Sequence, residues 1–162
     1  MDKLQSIIAF ICRDYPHKHE LTKARLTKMV YLADWVSAIL DEKQLTNIEW
    51  LFNHYGPYVD DVVEASQNSL GFNTEFQANM YGMPKYVISF NGNEENIELS
   101  QRERDILSAV INKTKTMFFN DFINYIYSTY PVKTKERYST LNLVDLAKKF
   151  KQEKDPEPVS AT

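Results

Sequence analysis

The sequence predicts an α+β fold, a mostly helical single domain with a small antiparallel sheet built from one central strand and a hairpin. Three observations point there. Apolar residues recur at helical spacing in several separate stretches, whereas two other stretches alternate apolar and polar residues. Apolar residues make up 43% of the 162, which suffices to close the core of one ordinary domain. Only four glycines and six prolines are present, which excludes a fibrous or low-complexity chain.

Each element follows from its own pattern. Leu4, Ile7, Ile8 and Ile11 form one stripe of a helix over residues 3–15, and Tyr15-Pro16 ends it, because a residue before proline disfavours helical backbone. Thr22 to about Leu40 is a second helix with Leu26, Met29, Val30, Ala33, Val36 and Leu40 facing inward. Leu32, Trp35 and Ile39 widen that stripe, so this helix should be central. Residues 47–54 alternate, placing Ile48, Trp50, Phe52 and His54 on one side of a strand. Gly56-Pro57 then reads as a turn, with Pro57 opening a short helix over residues 58–68 and Asp60 and Asp61 near its positive end.

Phe72, Thr74, Phe76, Ala78 and Met80 give the cleanest alternation, and Lys85 to Phe90 returns as the second strand of a hairpin. Ser100 with Glu103 reads as a capping box that starts a helix ending near Thr114. A further helix from Asn120 to Thr129 should bury Phe118, Phe119, Phe122, Ile123 and Ile126. The last helix, Leu141 to Gln152, uses Leu143, Leu146, Ala147 and Phe150. The domain is therefore expected over residues 1–152, followed by a polar, disordered tail over 153–162.

Charge and chemistry narrow the function. The formal net charge is −3, unevenly spread: residues 1–100 carry 8 basic and 14 acidic side chains, residues 101–154 carry 11 and 6. An acidic chain with a sequence pI near 5.6 argues against nucleic acid as the main partner, although Lys133, Lys135, Arg137, Lys148, Lys149 and Lys151 form a basic segment. The helices followed by a two-stranded wing leave a winged-helix-like DNA-binding regulator as an alternative. No apolar run approaches the length of a membrane span, and Met1-Asp2-Lys3-Leu4-Gln5 is not a secretion signal, so a cytoplasmic protein is expected. The single cysteine, Cys12, fits a reducing compartment.

His17, His19, Cys12 and His54 lack the paired spacing of a zinc site, and Asp60, Asp61 and Glu64 read as helix-terminal acids rather than an acid-base pair. No phosphate loop, nucleophile elbow, C-x-x-C or H-E-x-x-H is present, so neither an enzyme nor a cofactor is expected. Asp34 needs a donor if buried, and Tyr31, Tyr55 or a backbone amide are the candidates. Tyr55, Pro57 and Tyr58 could offer a rim to a protein partner, as could Tyr81 and Met83, which with Pro84 make the hairpin tip unusually apolar.

The helix Leu26-Thr27-Lys28-Met29-Val30-Tyr31-Leu32-Ala33-Asp34-Trp35, followed about twenty residues later by Tyr55-Gly56-Pro57-Tyr58, resembles the Panacea domain of the SocA-like antitoxin family. The likeness covers about residues 4–130. It implies a compact helical domain with a small sheet, in which Tyr31, Asp34, Trp35 and Gly56 hold the fold. It also implies an antitoxin that neutralises a toxin from the same operon by direct binding, for which Tyr55, Pro57, Tyr58, Tyr81 and Met83, read from the residues themselves, are the candidate contacts. Toxins paired with this family are many and unrelated, small alarmone synthetases among them. One relative is a proteolytic adaptor, and members travel on phages and other mobile elements, which suggests a role in phage defence. Self-association stays open.

Overall fold

The computed structural model describes residues 1–67 and 69–154. Helix α1 (Lys3–Asp14) opens on a reciprocal cap: the Asp2 carboxylate accepts from the Gln5 amide, and the Gln5 side chain accepts from the Asp2 amide. Its residues Ser6 to Cys12 are all buried. Helix α2 (Lys23–Asp41) is capped by Thr22, whose hydroxyl accepts from the Arg25 amide, and ends at Glu42 in the left-handed region. It packs against α1 and, as described below, four further helices and a strand, so almost its whole circumference is buried.

Strand β1 (Trp50–Asn53) turns back at His54 and Tyr55 into β2 (Gly56–Pro57), with Phe52 opposite Pro57 and Asn53 opposite Gly56. The turn therefore lies two residues earlier than the sequence suggests, at His54-Tyr55 rather than Gly56-Pro57. Pro57 is a strand residue, and the short helix α3 (Asp61–Gln67) starts four residues after it. Strands β3 (Phe72–Ala78) and β4 (Pro84–Phe90) form a separate antiparallel ribbon, Phe72 facing Phe90 and Ala78 facing Pro84. The ribbon is anchored through β4, where the Ile88 amide donates to the Leu21 carbonyl and Val87 bridges Thr22.

Helix α4 (Gln101–Thr114) opens on the Ser100–Glu103 capping box. Helix α5 (Phe119–Ser128) buries Phe122 and Ile126, half-buries Ile123, and leaves Phe118 80% and Phe119 51% exposed, which corrects the expectation that both would be covered. Two small elements follow that periodicity does not reveal: α6 (Tyr130–Thr134) and β5 (Thr140–Leu141). β5 pairs with β1, Trp50 facing Leu141, so the sheet order is β2-β1-β5 and β1 is central. Helix α7 (Leu143–Lys154) starts after Asn142, whose side chain accepts from the Asp145 amide, and continues through Glu153 and Lys154, two residues that the sequence assigns to the tail. The rest of that expected tail lies outside the described residues. The principal neighbours of α2 are thus α1, α3, α4, α5, α7 and β4. No helix among the described residues is long and apolar enough to cross a membrane.

Candidate functional site

The family-like segment of α2 carries three fixed residues. Asp34 is fully buried and accepts from the amides of Leu45 (2.9 Å) and Thr46 (3.0 Å), the Thr46 hydroxyl, Trp50 Nε1 (2.9 Å) and Gln44 Nε2 (3.3 Å). It thereby ties the α2–β1 connection and the first residue of β1 to the helix. Burial pushes its carboxyl up to about 6, against the downward pull of the Thr46, Trp50 and Leu45 bonds. Neither Tyr31 nor Tyr55 is among its donors. Tyr31 instead shares a hydrogen bond with Thr129 at 2.8 Å and sets its ring edge-on to Trp50. Trp35 stacks on Tyr130 and packs against Phe150, so it joins α2 to α6 and α7.

Nearer the helix start, Arg25 is also buried. It donates to the carbonyls of Thr114 and Met117, both at 2.9 Å, and its guanidinium lies 4.4 Å from the centre of the Phe122 ring. Those bonds pin the end of α4 against α2.

The β1–β2 turn is held differently. Tyr138, at φ +71, donates its amide to the Phe52 carbonyl and meets His54 Nδ1 through its hydroxyl at 3.0 Å. His54 is edge-on to Tyr55 with ring centres 4.5 Å apart. Gly56 sits at φ +104, where a side chain is strained whatever space surrounds it. The turn thus presents Tyr55 to solvent, 75% exposed, on a braced backbone. Pro57 is buried, which removes it from any exposed rim, and Tyr58 is half-buried.

Two grooves flank Tyr55. The larger, about 520 Å³, runs between Tyr55 and the α5 residues Phe119, Asn120, Ile123 and Asn124. The smaller, about 240 Å³, runs between Tyr55 and Asn53, His54 and Tyr58. Both are floored by Ala24 and Lys28. Phe118 and Phe119 stand exposed beside this surface; the sequence gives no sign of it, because aromatic residues at helical spacing look like core. Tyr81 and Met83 are also exposed, at the tip of the β3–β4 ribbon, where Asn79 accepts from both amides and fixes the turn. They line neither groove.

Lys28 is only 2% exposed, and burial lowers its ammonium to about 8. Cys12 is buried beside the Ile88 carbonyl, and burial pushes its thiol up to about 12. Among the described residues no group of three or more His, Cys, Asp or Glu side chains is placed to hold a metal ion. Lys148 and Lys149 are exposed on α7.

Comparison with curated proteins and with solved structures returned no match. A family model described as antitoxin SocA-like, Panacea domain, matches residues 26–131, a span that includes most of α2, the β1–β2 turn and the whole of α5.

Proposed function

Because the chain belongs to the SocA-like antitoxin family of the Panacea domain, we propose that it neutralises a cognate protein toxin by binding it directly, without turnover, through the surface around Tyr55. The observation that carries this reading is an exposed aromatic rim on a rigid support. Tyr55, Phe118 and Phe119 stand out from the fold, while Tyr138, Gly56 and the α5 core residues Phe122 and Ile126 hold their backbones. A preformed rim of this kind loses little conformational freedom on binding, and aromatic side chains dominate the energetics of such contacts. Tyr58 completes one wall of the surface, and Tyr81 and Met83 offer a second, separate contact point. The toxin is expected from the neighbouring reading frame, and its class is open, a small alarmone synthetase included.

The test is co-expression. The adjacent reading frame is placed under an inducible promoter with and without this chain, and surviving cells are counted. Toxicity that this chain relieves, together with a stable complex on co-purification, is the expected result. Toxicity that persists in its presence, or relief without any complex, rejects direct neutralisation.

A further inference from the structure

Three charged side chains are buried among the described residues: Arg25, Lys28 and Asp34. Two of them are answered by partners. Arg25 has two carbonyl acceptors and the Glu20 carboxylate 3.8 Å away, with its Nε left without a partner, and Asp34 has its donors from Gln44, Leu45, Thr46 and Trp50. Lys28 has neither a hydrogen bond nor an ion pair with any described residue. Among the described residues, its aromatic companion is the Tyr58 ring, 5.7 Å from the ammonium. The Lys28 stem is buried while its ammonium, which opens to the grooves described above, is partly desolvated and has no counter-charge, a cost that folding alone gives no reason to keep.

Its position supplies a reason. Lys28 floors both grooves that meet at Tyr55, and no acidic residue lines either of them. The walls are apolar or neutral: Tyr55, Phe119 and Ile123 with Asn120 and Asn124 on one side, Tyr58 with Asn53 and His54 on the other. One cation at the bottom of an apolar channel matches one negative charge flanked by apolar groups. A phosphate backbone would call for repeated cations along its path. The two grooves share Tyr55, Ala24 and Lys28, so a segment laid across Tyr55 would occupy both.

We infer that Lys28 is a docking residue: it receives the side-chain carboxylate of an Asp or Glu that the toxin carries between apolar residues on a segment laid across both grooves. The inference rests on the antitoxin reading above and names the chemistry of its contact. Lysine suits the role, since its four-carbon stem can carry a compact charge a short way out of an apolar bed.

The experiment uses the full chain and the product of the adjacent reading frame. Wild type, K28M, K28Q and K28R are compared for rescue of growth, for the Kd of the purified complex at pH 7, and for melting temperature. K28M is expected to weaken the complex by about 30-fold or more and to lose rescue, while melting at or above the wild-type temperature. K28R is expected to retain part of the affinity. Each Asp and Glu of the toxin is then changed to Asn or Gln, and one of these changes should reproduce the loss and add nothing further to K28M. K28M complexes within about threefold of wild type overturn the docking role and leave the antitoxin reading standing. A wild type that neither rescues nor forms a complex overturns both. Should K28M fail to fold, K28Q, which keeps a polar head without the charge, decides the matter by the same thresholds.

Discussion

Asp34 and Lys28 lie on one helix, six residues apart, and both are buried, yet their surroundings are opposite. Asp34 sits where a loop has been folded around it, so that two backbone amides, a hydroxyl, an indole and a side-chain amide converge on one carboxylate. Lys28 sits where the chain has left a channel, and the nearest groups are a phenol ring, the Gly56 backbone and amide or apolar side chains. A buried charge whose bonds are complete organises the molecule that holds it. A buried charge whose bonds are missing is complete only in the presence of something else. On the docking proposal, the difference separates the architectural half of the motif from the half that would meet the partner.

That contrast can be broken most directly at Asp34. Asp34→Ala strips partners from the Trp50 indole and from the Leu45 and Thr46 amides, and is expected to destabilise the protein by about 3–5 kcal/mol. Urea unfolding followed by tryptophan fluorescence measures it; a loss under about 1 kcal/mol would mean that Asp34 is not the anchor. The charge-deleting change at Lys28 should have the opposite sign. Lys28→Met is expected to raise stability by about 1–3 kcal/mol at pH 7, since each unit of pKa displacement corresponds to about 1.4 kcal/mol and the ammonium is held near 8 rather than 10.5.

The sign of the pH dependence follows from that depression. A lysine whose folded value lies below its unfolded one destabilises the fold fully below about pH 8, and the penalty fades as pH rises towards 10.5. The stability gap between Lys28→Met and wild type should therefore be widest below pH 8 and close steadily above it. The other titrating groups are common to both proteins and cancel in the difference. His54, Tyr55 and Tyr58 face the same grooves, and none of the lining residues is acidic. A gap that stays constant to about pH 10 would show that Lys28 is solvated in solution.

Smaller effects sharpen the comparison at the rim. Tyr55→Ala should leave stability within about 0.5 kcal/mol, since the ring is largely in solvent, and should weaken the toxin complex by about 1–2 kcal/mol, read by calorimetry. Tyr81→Ala and Met83→Ala, which line neither groove, should cost the complex less than Tyr55→Ala. An order reversed between these sites would move the interface to the β3–β4 ribbon.

The long elements are legible in the sequence because their periods are long enough to read. Helices α1, α2 and α4 and the β3–β4 ribbon each carry several repeats of one pattern, and Ser100 with Glu103 marks a helix start chemically. β5 is not legible: two residues cannot display a period, and Thr140–Leu141 becomes a strand only because β1 is there to pair with it. The Gly56-Pro57 turn is misplaced for a related reason. Gly and Pro signal turns on average, but here the positive φ of Gly56 serves the residue after the turn, and His54 and Tyr55 form the corner itself. At the site, the aromatic spacing of Phe118, Phe119 and Phe122 reads as one buried face, yet the axis of α5 turns only Phe122 inward. The need of Asp34 for donors is readable; that residues 44–50 supply them is not, because no local pattern announces which loop will wrap a carboxylate. The isolation of Lys28 is beyond reading altogether, since it is a fact about neighbours that are absent from the groove walls.

Cys12 gives the protein a clock of its own. The lone thiol lies in the middle of α1, beneath the β4 backbone, and a reagent in solution reaches it only when that helix leaves its place. Its rate of alkylation therefore reports openings of the core, each one singly where the reagent reacts faster than the core recloses. Because a ligand that binds only the closed form makes the rate of opening proportional to the fraction of protein left unbound, the same thiol would report how far a bound toxin, as proposed, holds the core closed.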